Sequence, residues 1–125
     1  RSDSKSNHRN LRKIINEDEI VDYLKNKGFS TIRLGDLNFI DQVNLFNNAS
    51  QVIGLHGAGF ANLVFCNPDT FVLEFKSITA GDVIGNLARN LNINFHEIAR
   101  KPLNEDKNQQ GLISVPIDLI KKKLS

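Results

Sequence analysis

Residues 51–74 read QVIGLHGAGFANLVFCNPDTFVLE. An apolar segment is followed by a glycine-rich turn, and two further apolar segments come after the turn. The segment 51–56 contains β-branched residues without polar alternation, which predicts a strand covered on both faces in a parallel sheet. A short helix is predicted for 58–65, because Pro68 and Asp69 then break the chain before a strand at 70–75. This part of the sequence therefore predicts a strand–helix–strand unit with a glycine-rich turn after its first strand.

The flanking sequence continues the same alternation. Apolar residues recur at helical spacing over 17–27, 39–46, 80–91 and 116–124, and short apolar runs predict strands at 30–34, 93–98 and 113–115. Asn16, with Glu19 three residues later, is a variant of the capping box and predicts the start of the first helix. Because parallel neighbours need a crossover connection, the pattern predicts an α/β fold, a Rossmann-like parallel sheet with helices on both faces.

Length and composition exclude several classes of protein. The 125 residues predict a single domain, 1–125, and the net charge of +2 supplies no basic stripe of the kind that binds nucleic acid. The lone Cys66 excludes an internal disulfide and favours a reducing compartment, and no apolar run reaches the roughly 20 residues that cross a bilayer. Since the first residue is Arg1 rather than Met, we expect a fragment of a longer polypeptide.

The turn at 56–60 predicts an anion site. Gly57 and Gly59 can adopt positive φ, and the amino end of the following helix suits a phosphate. The amides expected to bind it belong to Gly57, Ala58, Gly59 and Phe60. Ligands of open α/β sheets bind at the carboxyl ends of the strands, where His56 and Glu74 also lie. We expect His56 to donate to the phosphate and Glu74 to accept from ribose hydroxyls.

Each of these residues also has a structural interpretation. An isolated G-x-G is equally compatible with close packing of a helix on a strand, and a structural histidine at position 56 is at least as frequent as a ligand contact. Glu74 is more informative, because a carboxylate in an apolar strand is rarely buried without a partner. The absence of a Walker pattern, of a G-x-S-x-G elbow and of a complete G-x-G-x-x-G disfavours P-loop, α/β-hydrolase and dinucleotide-binding chemistry.

The sequence resembles the catalytic domain of family-61 glycosyltransferases, which include bacterial capsular-polysaccharide enzymes, plant xylan-decorating transferases and animal O-linked N-acetylglucosamine transferases. The likeness covers most of the chain, and its most specific blocks are VIGxHGAGxxNxxF at 52–65 and VLE at 72–74. Phe60 stands where leucine is usual. The resemblance implies a GT-B enzyme with two Rossmann-like domains, of which this chain is the C-terminal, donor-binding half. It further implies inverting, metal-independent transfer of a sugar from a nucleotide-sugar to a hydroxyl.

The resemblance also assigns residues. Arg1 falls on the family's arginine at a strand end and is expected to contact the diphosphate, with Arg12 as a weaker candidate. Asn62 belongs to the matching block and joins the expected substrate-binding set. His56 is a candidate catalytic base, but the base is expected to come from the absent N-terminal domain. The sequence has no Asp-x-Asp motif, so no metal or other cofactor is expected.

The expected partners are a nucleotide-diphosphate sugar, a glycan acceptor and the missing N-terminal domain, without nucleic acid. We expect a bacterial cytoplasmic enzyme that supplies capsular or other surface polysaccharide, with any membrane association through parts outside this chain. The isolated fragment is expected to bind nucleotide weakly and to transfer nothing. The competing interpretation is a non-catalytic Rossmann-like ligand-binding or scaffold domain whose glycines serve packing alone.

Overall fold

The structure is a computed structural model that describes residues 12–103 and 111–125. The described residues contain the strands β1 Arg12–Ile14, β2 Gln51–Leu55, β3 Phe71–Ser77, β4 Asn94–Arg100 and β5 Gly111–Ile113. The α-helices are α1 Glu17–Asn26, α2 Phe39–Asn48, α3 Val83–Asn90 and α4 Ile117–Leu124, and 3-10 helices span Leu34–Asp36 and Ala58–Phe65. None of the helices in this described part is long and apolar enough to cross a membrane.

The central sheet is parallel and has the order β2-β3-β4. β3 lies in the middle and is buried along nearly its whole length, whereas β2 at the edge is mostly half-buried. β1 and β5 form a separate parallel pair. The predicted α/β class with a parallel sheet is therefore confirmed.

Two apolar clusters cover the two faces of the central sheet. On one face, α1, α4 and the β1–β5 pair pack against Leu73 and Phe75 of β3. On the other face, α2, α3 and the 58–65 helix pack against Val72. Successive residues of a strand point to opposite faces, so the neighbours Val72 and Leu73 belong to different clusters. The predicted helices on both faces are confirmed.

Asn16 differs from its predicted role in a capping box. Its side chain makes no cap hydrogen bond to α1. Instead, Nδ2 of Asn16 donates to the carbonyl of Val115 at 2.8 Å, and Oδ1 accepts from the N–H of Val115 at 3.0 Å. The capping prediction is wrong because the Asn16 amide satisfies the backbone of the segment between β5 and α4.

The predicted strand at 30–34 is not formed. Residues 29–33 have no regular secondary structure and lead into the 3-10 helix Leu34–Asp36. A strand needs a neighbour that pairs with its backbone groups. β2 borders the same groove as residues 29–33 but does not pair with them. The predicted cover on both faces of β2 is likewise incomplete, because much of this strand is only half-buried.

Candidate functional site

The glycine-rich turn lies at the carboxyl end of β2, the side on which open α/β sheets bind ligands. The chain passes from Leu55 through Gly57 into the 3-10 helix Ala58–Phe65. Gly57 is buried and has φ 168° and ψ 176°, an extended conformation that any residue adopts. Gly59 lies inside the 3-10 helix and is not among the described glycines with positive φ. The predicted use of positive φ at Gly57 and Gly59 is therefore wrong.

Of the four amides expected to bind a phosphate, those of Gly57 and Gly59 remain available among the described residues. The N–H of Phe60 donates to the carbonyl of Gly57 at 3.1 Å, which closes the first turn of the 58–65 helix. The prediction for the Phe60 amide is wrong for that reason. The N–H groups of Gly57 and Gly59 make no hydrogen bond within residues 12–103 and 111–125. The first N–H groups of a helix lack partners inside it, so these amides can receive an anion.

Phe60 fixes the 58–65 helix on β2. Its ring is almost completely buried, and the Cζ atom lies 3.4 Å from the place that a Cβ would occupy on Gly54. Glycine in the strand thus lets the ring lie directly on the backbone of β2. Sequence reasoning missed this role of Gly54, for which the signal was a glycine inside a strand of β-branched residues.

His56 and Glu74 contact each other. Nδ1 of His56 lies 2.5 Å from Oε2 of Glu74, and the backbone N–H of His56 donates to the carbonyl of Phe75 at 2.7 Å. The Glu74 side chain is completely buried, whereas 10% of the His56 side chain is exposed. A carboxylate accepts hydrogen bonds, so Nδ1–H donates and Nε2 is left for other chemistry. His56 is the member of the pair that a ligand can reach.

Glu74 is more deeply buried than His56 and contacts the imidazole ring. Its second oxygen, Oε1, is buried and has no hydrogen-bond partner among the described residues. Buried oxygens without a partner are rare in folded proteins and occur at catalytic sites, at sites of strain and at water sites. The predicted contact of Glu74 with ribose hydroxyls stays a prediction, and the contact that the structure shows is with His56.

Lys76 adds a buried positive charge on the same face of β3 as Glu74. Its Nζ lies 2.9 Å from Oε2 of Glu97 and 3.0 Å from Oδ1 of Asp82, and it donates to the carbonyl of Gly81 at 3.4 Å. These contacts hold the loop between β3 and α3 beside the candidate site. Sequence reasoning missed Lys76, although a second charge two residues after Glu74 in an apolar strand indicated a shared face.

The ion pairs of Lys76 change its titration. Burial alone would lower the pKa of Lys76, but hydrogen bonds to Glu97 and Asp82 and the negative charges of Glu97 and Glu74 outweigh it, so the pKa is raised. The same contact with Lys76 lowers the pKa of Asp82. Lys76 therefore contributes to stability fully below the ordinary lysine pKa, and this contribution is lost as the pH rises through the higher pKa of the folded state.

We expect Lys76→Met to show this dependence. The difference in unfolding free energy between the wild type and Lys76→Met should stay constant from about pH 7 to 9 and decrease above about pH 10.5. Urea denaturation of both proteins at matched ionic strength measures this difference. A difference that grows with alkaline pH would contradict the assigned ion pairs.

The remaining predicted site residues are only partly tested. Nδ2 of Asn62 donates to Oε1 of Gln42 at 3.0 Å, and Nε2 of Gln42 donates to the carbonyl of Leu34 at 2.9 Å. Asn62 thus ties the 58–65 helix to α2, and its substrate contact stays a prediction. Arg1 lies outside the described residues, Arg12 lies in β1, and their diphosphate contacts also stay predictions.

Comparison with known proteins identifies relatives. The chain is 41% identical over 59 residues to an EGF domain-specific O-linked N-acetylglucosamine transferase of Mus musculus, which is 43% of the chain and 11% of that protein. It is 36% identical over 76 residues to the protein of the same name from Bos taurus, which is 57% of the chain and 14% of that protein. It is 49% identical over 41 residues to a beta-1,2-xylosyltransferase of Oryza sativa subsp. japonica, which is 33% of the chain and 8% of that protein.

The chain therefore spans only a small part of the length of these relatives. A sequence model of the Glycosyltransferase 61 family matches residues 2–73, which is more than half of the chain. This match covers the turn at 56–60 and the strands on either side of it nearly to Glu74. The resemblance found in the sequence is confirmed, and the chain belongs to the Glycosyltransferase 61 family.

Proposed function

We propose that this chain is the donor-binding part of a glycosyltransferase and that it holds the diphosphate of a nucleotide-sugar. The observation that carries the proposal is the position of the available amides of Gly57 and Gly59 next to the His56–Glu74 pair. The amides and His56 follow the carboxyl end of β2, on the ligand side of the sheet, and Glu74 reaches His56 from the middle of the neighbouring strand β3. The names of the matched relatives, which are sugar transferases, support the same class of reaction.

Charge stabilisation gives these groups a catalytic function. During transfer the sugar becomes oxocarbenium-like while negative charge grows on the departing diphosphate. Hydrogen-bond donors fixed where that charge develops lower the barrier selectively, since they bind the transition state more strongly than the substrate. The amides at the start of the 58–65 helix and the imidazole of His56 are such donors. We propose on this basis a transfer that needs no metal ion.

Glu74 orients the imidazole in this scheme. By accepting from Nδ1–H of His56, its carboxylate fixes the ring orientation and leaves Nε2 for the substrate. The pair can serve the reaction in two ways. Nε2 can donate to a phosphate oxygen when the ring is protonated, or it can accept the proton of the attacking hydroxyl when it is not. We favour phosphate binding, because the available amides lie immediately after His56 in the chain.

The complete enzyme is proposed to invert the configuration at the sugar and to have a GT-B architecture. In that arrangement a second Rossmann-like half holds the acceptor and supplies the base that removes the acceptor proton. The names of the relatives differ in the sugar that is transferred: one transfers N-acetylglucosamine to EGF domains, and another transfers xylose. The acceptor of this protein is therefore proposed only as a hydroxyl of a glycan, and its place in bacterial surface polysaccharide remains a proposal.

Titration of the ¹⁵N-labelled chain with uridine, guanosine, cytidine and adenosine diphosphates tests nucleotide binding. We expect weak, millimolar binding of at least one of them, with the largest shifts at the amides of Gly57, Ala58 and Gly59. His56→Ala should abolish these shifts. His96→Ala is the matched control, since His96 stacks on Phe71 and bonds to Asn94 at the other end of the sheet. It should leave the shifts unchanged.

The outcome separates this proposal from the scaffold interpretation. If none of the four nucleotides moves the amides of the turn in either the chain or the complete polypeptide, the glycines serve packing alone and the proposed donor site does not exist. If the shifts persist in His56→Ala, the turn binds phosphate without the imidazole of His56.

A further inference from the structure

A groove of about 790 Å³ runs along the outer edge of β2. It is lined on one side by all residues of β2 and on the other by residues 27–34. The apolar side chains of Ile20, Val21 and Leu24 from α1 also line it. The groove thus lies between an edge strand and a segment that runs without regular structure. An apolar groove beside an edge strand is typical of a surface that is buried in the folded protein.

The backbone of β2 is paired on one side only. Phe71 N–H donates to the carbonyl of Ser50, and His56 N–H donates to the carbonyl of Phe75, so the even-numbered residues of this segment bond to β3. The N–H and C=O groups of the residues between them point to the other side of a parallel strand. Those residues are Gln51, Ile53 and Leu55. On that side β2 has no neighbouring strand among the described residues.

Two disagreements between sequence and structure meet at this groove. The sequence of β2 is typical of a strand covered on both faces, yet the strand is half-buried at an edge. Residues 30–34 have the sequence of a strand, yet they join no sheet in the described part of the chain. Ile32 in this segment is 46% exposed. One additional strand between the two segments would account for both differences. A long apolar edge without such cover also promotes aggregation.

We propose that the groove is filled by one further β-strand, parallel to β2 and supplied by a longer polypeptide of which this chain is a part. The matched stretches are 14% or less of the relatives named above, so those proteins contain ample additional chain. Every strand pair described is parallel, and doubly wound sheets place a strand at this central position. The inserted strand is apolar on both faces, since apolar groups line the groove. This proposal is independent of the proposed transferase function.

The inserted strand also extends the candidate site. A strand parallel to β2 ends at the edge of the sheet where His56 lies. The residues that follow it would then join the turn at 56–60. The same inserted strand would therefore complete both the sheet and the candidate site.

Hydrogen exchange of the complete polypeptide, followed residue by residue, tests the proposal. The amides of Val52 and Gly54 bond to β3 in either case and serve as internal standards. With the strand in place, the amides of Ile53 and Leu55 should exchange as slowly as these standards, within about tenfold. Ile53 and Leu55 amides that exchange more than about 100-fold faster than the standards would show an open edge and overturn the proposal.

A pair of variants of the complete polypeptide gives a second measurement. Ile32→Asp places a charge in the groove, and Ile78→Asp places one at a similarly exposed site outside it. If the groove is filled, Ile32→Asp should lower the unfolding temperature by at least about 5 °C more than Ile78→Asp, because the charge is buried under the added strand. Equal shifts would overturn the proposal.

The molecular mass in solution and the effect of dilution on amide protection test which molecule supplies the strand. A second copy would pair β2 with β2, so protection of Ile53 and Leu55 would then disappear on dilution together with a dimer. Protection that persists in a monomer supports a strand from the same polypeptide. Protection found only in the dimer overturns that source.

Discussion

Replacement of His56 with alanine is expected to lower kcat/KM of the complete polypeptide in the proposed sugar transfer about 100- to 1000-fold, the usual effect of removing one donor to the developing charge. The imidazole is the exposed member of the buried pair with Glu74, and it directly precedes the available amides of the turn. Sugar transfer at saturating and at limiting donor concentration measures the effect. His96→Ala is the control and should retain nearly full activity.

Glu74→Leu tests how the carboxylate acts through His56. In the wild type, Nδ1 of His56 should carry the proton in the neutral ring, because Glu74 accepts from it. Long-range ¹H–¹⁵N spectra should show this tautomer and its loss in Glu74→Leu, together with a fall in kcat/KM of about 10- to 100-fold. Glu74→Gln keeps an acceptor oxygen and should retain more of the Nδ1–H tautomer.

The two readouts distinguish a positioning role from a general loss of structure. A fall in activity without any change in the His56 tautomer would mean that Glu74 does not orient the ring. A His56→Ala enzyme that keeps more than half of its kcat/KM would exclude the imidazole from the chemistry.

Leu63→Ala is expected to lower the free energy of unfolding by about 2–5 kcal/mol, the range for truncation of a fully buried leucine. Leu63 lies in the 58–65 helix, has no exposed surface and belongs to the cluster that contains Phe46, Val72 and Ile84. Its side chain holds the helix whose amino end forms the candidate site. Urea denaturation of the chain measures the loss.

Val64→Ala is the matched control for Leu63→Ala. Val64 is the next residue of the same helix and is 49% exposed, so its truncation leaves little cavity. We expect a change of less than about 1 kcal/mol. Similar losses for the two variants would contradict the described seating of the helix on the sheet.

The local elements of this fold could be predicted because their patterns are local. Helical spacing over 17–27 and 39–46 corresponds to α1 and α2, and the break at Pro68 and Asp69 precedes β3. Asn16 failed as a cap because Val115, which lies 99 residues away, competes for its amide. The failure at 30–34 has a similar origin, since a strand depends on a neighbour that its own sequence cannot provide.

The candidate site could be predicted only in part. The rule that ligands bind at the carboxyl ends of parallel strands brought His56 and Glu74 to one edge. Their direct contact depends on the register of β2 and β3, in which Gly54 pairs with Glu74. The ion pairs of Lys76 depend on the packing of β4 and α3 against β3, which no local pattern encodes. The Phe60 amide was misassigned because the first turn of a 3-10 helix closes one residue earlier than that of an α-helix.

The two hydrogen bonds between Asn16 and Val115, together with the pairing of β1 with β5, set an order for folding. These contacts close a loop of 99 residues, at an entropic cost of about 4 kcal/mol when the intervening chain is unfolded. Once β2, β3 and β4 have assembled, most of that loop is already ordered and the cost is small. The β1–β5 pair and the Asn16–Val115 contact should therefore form after the central sheet during refolding.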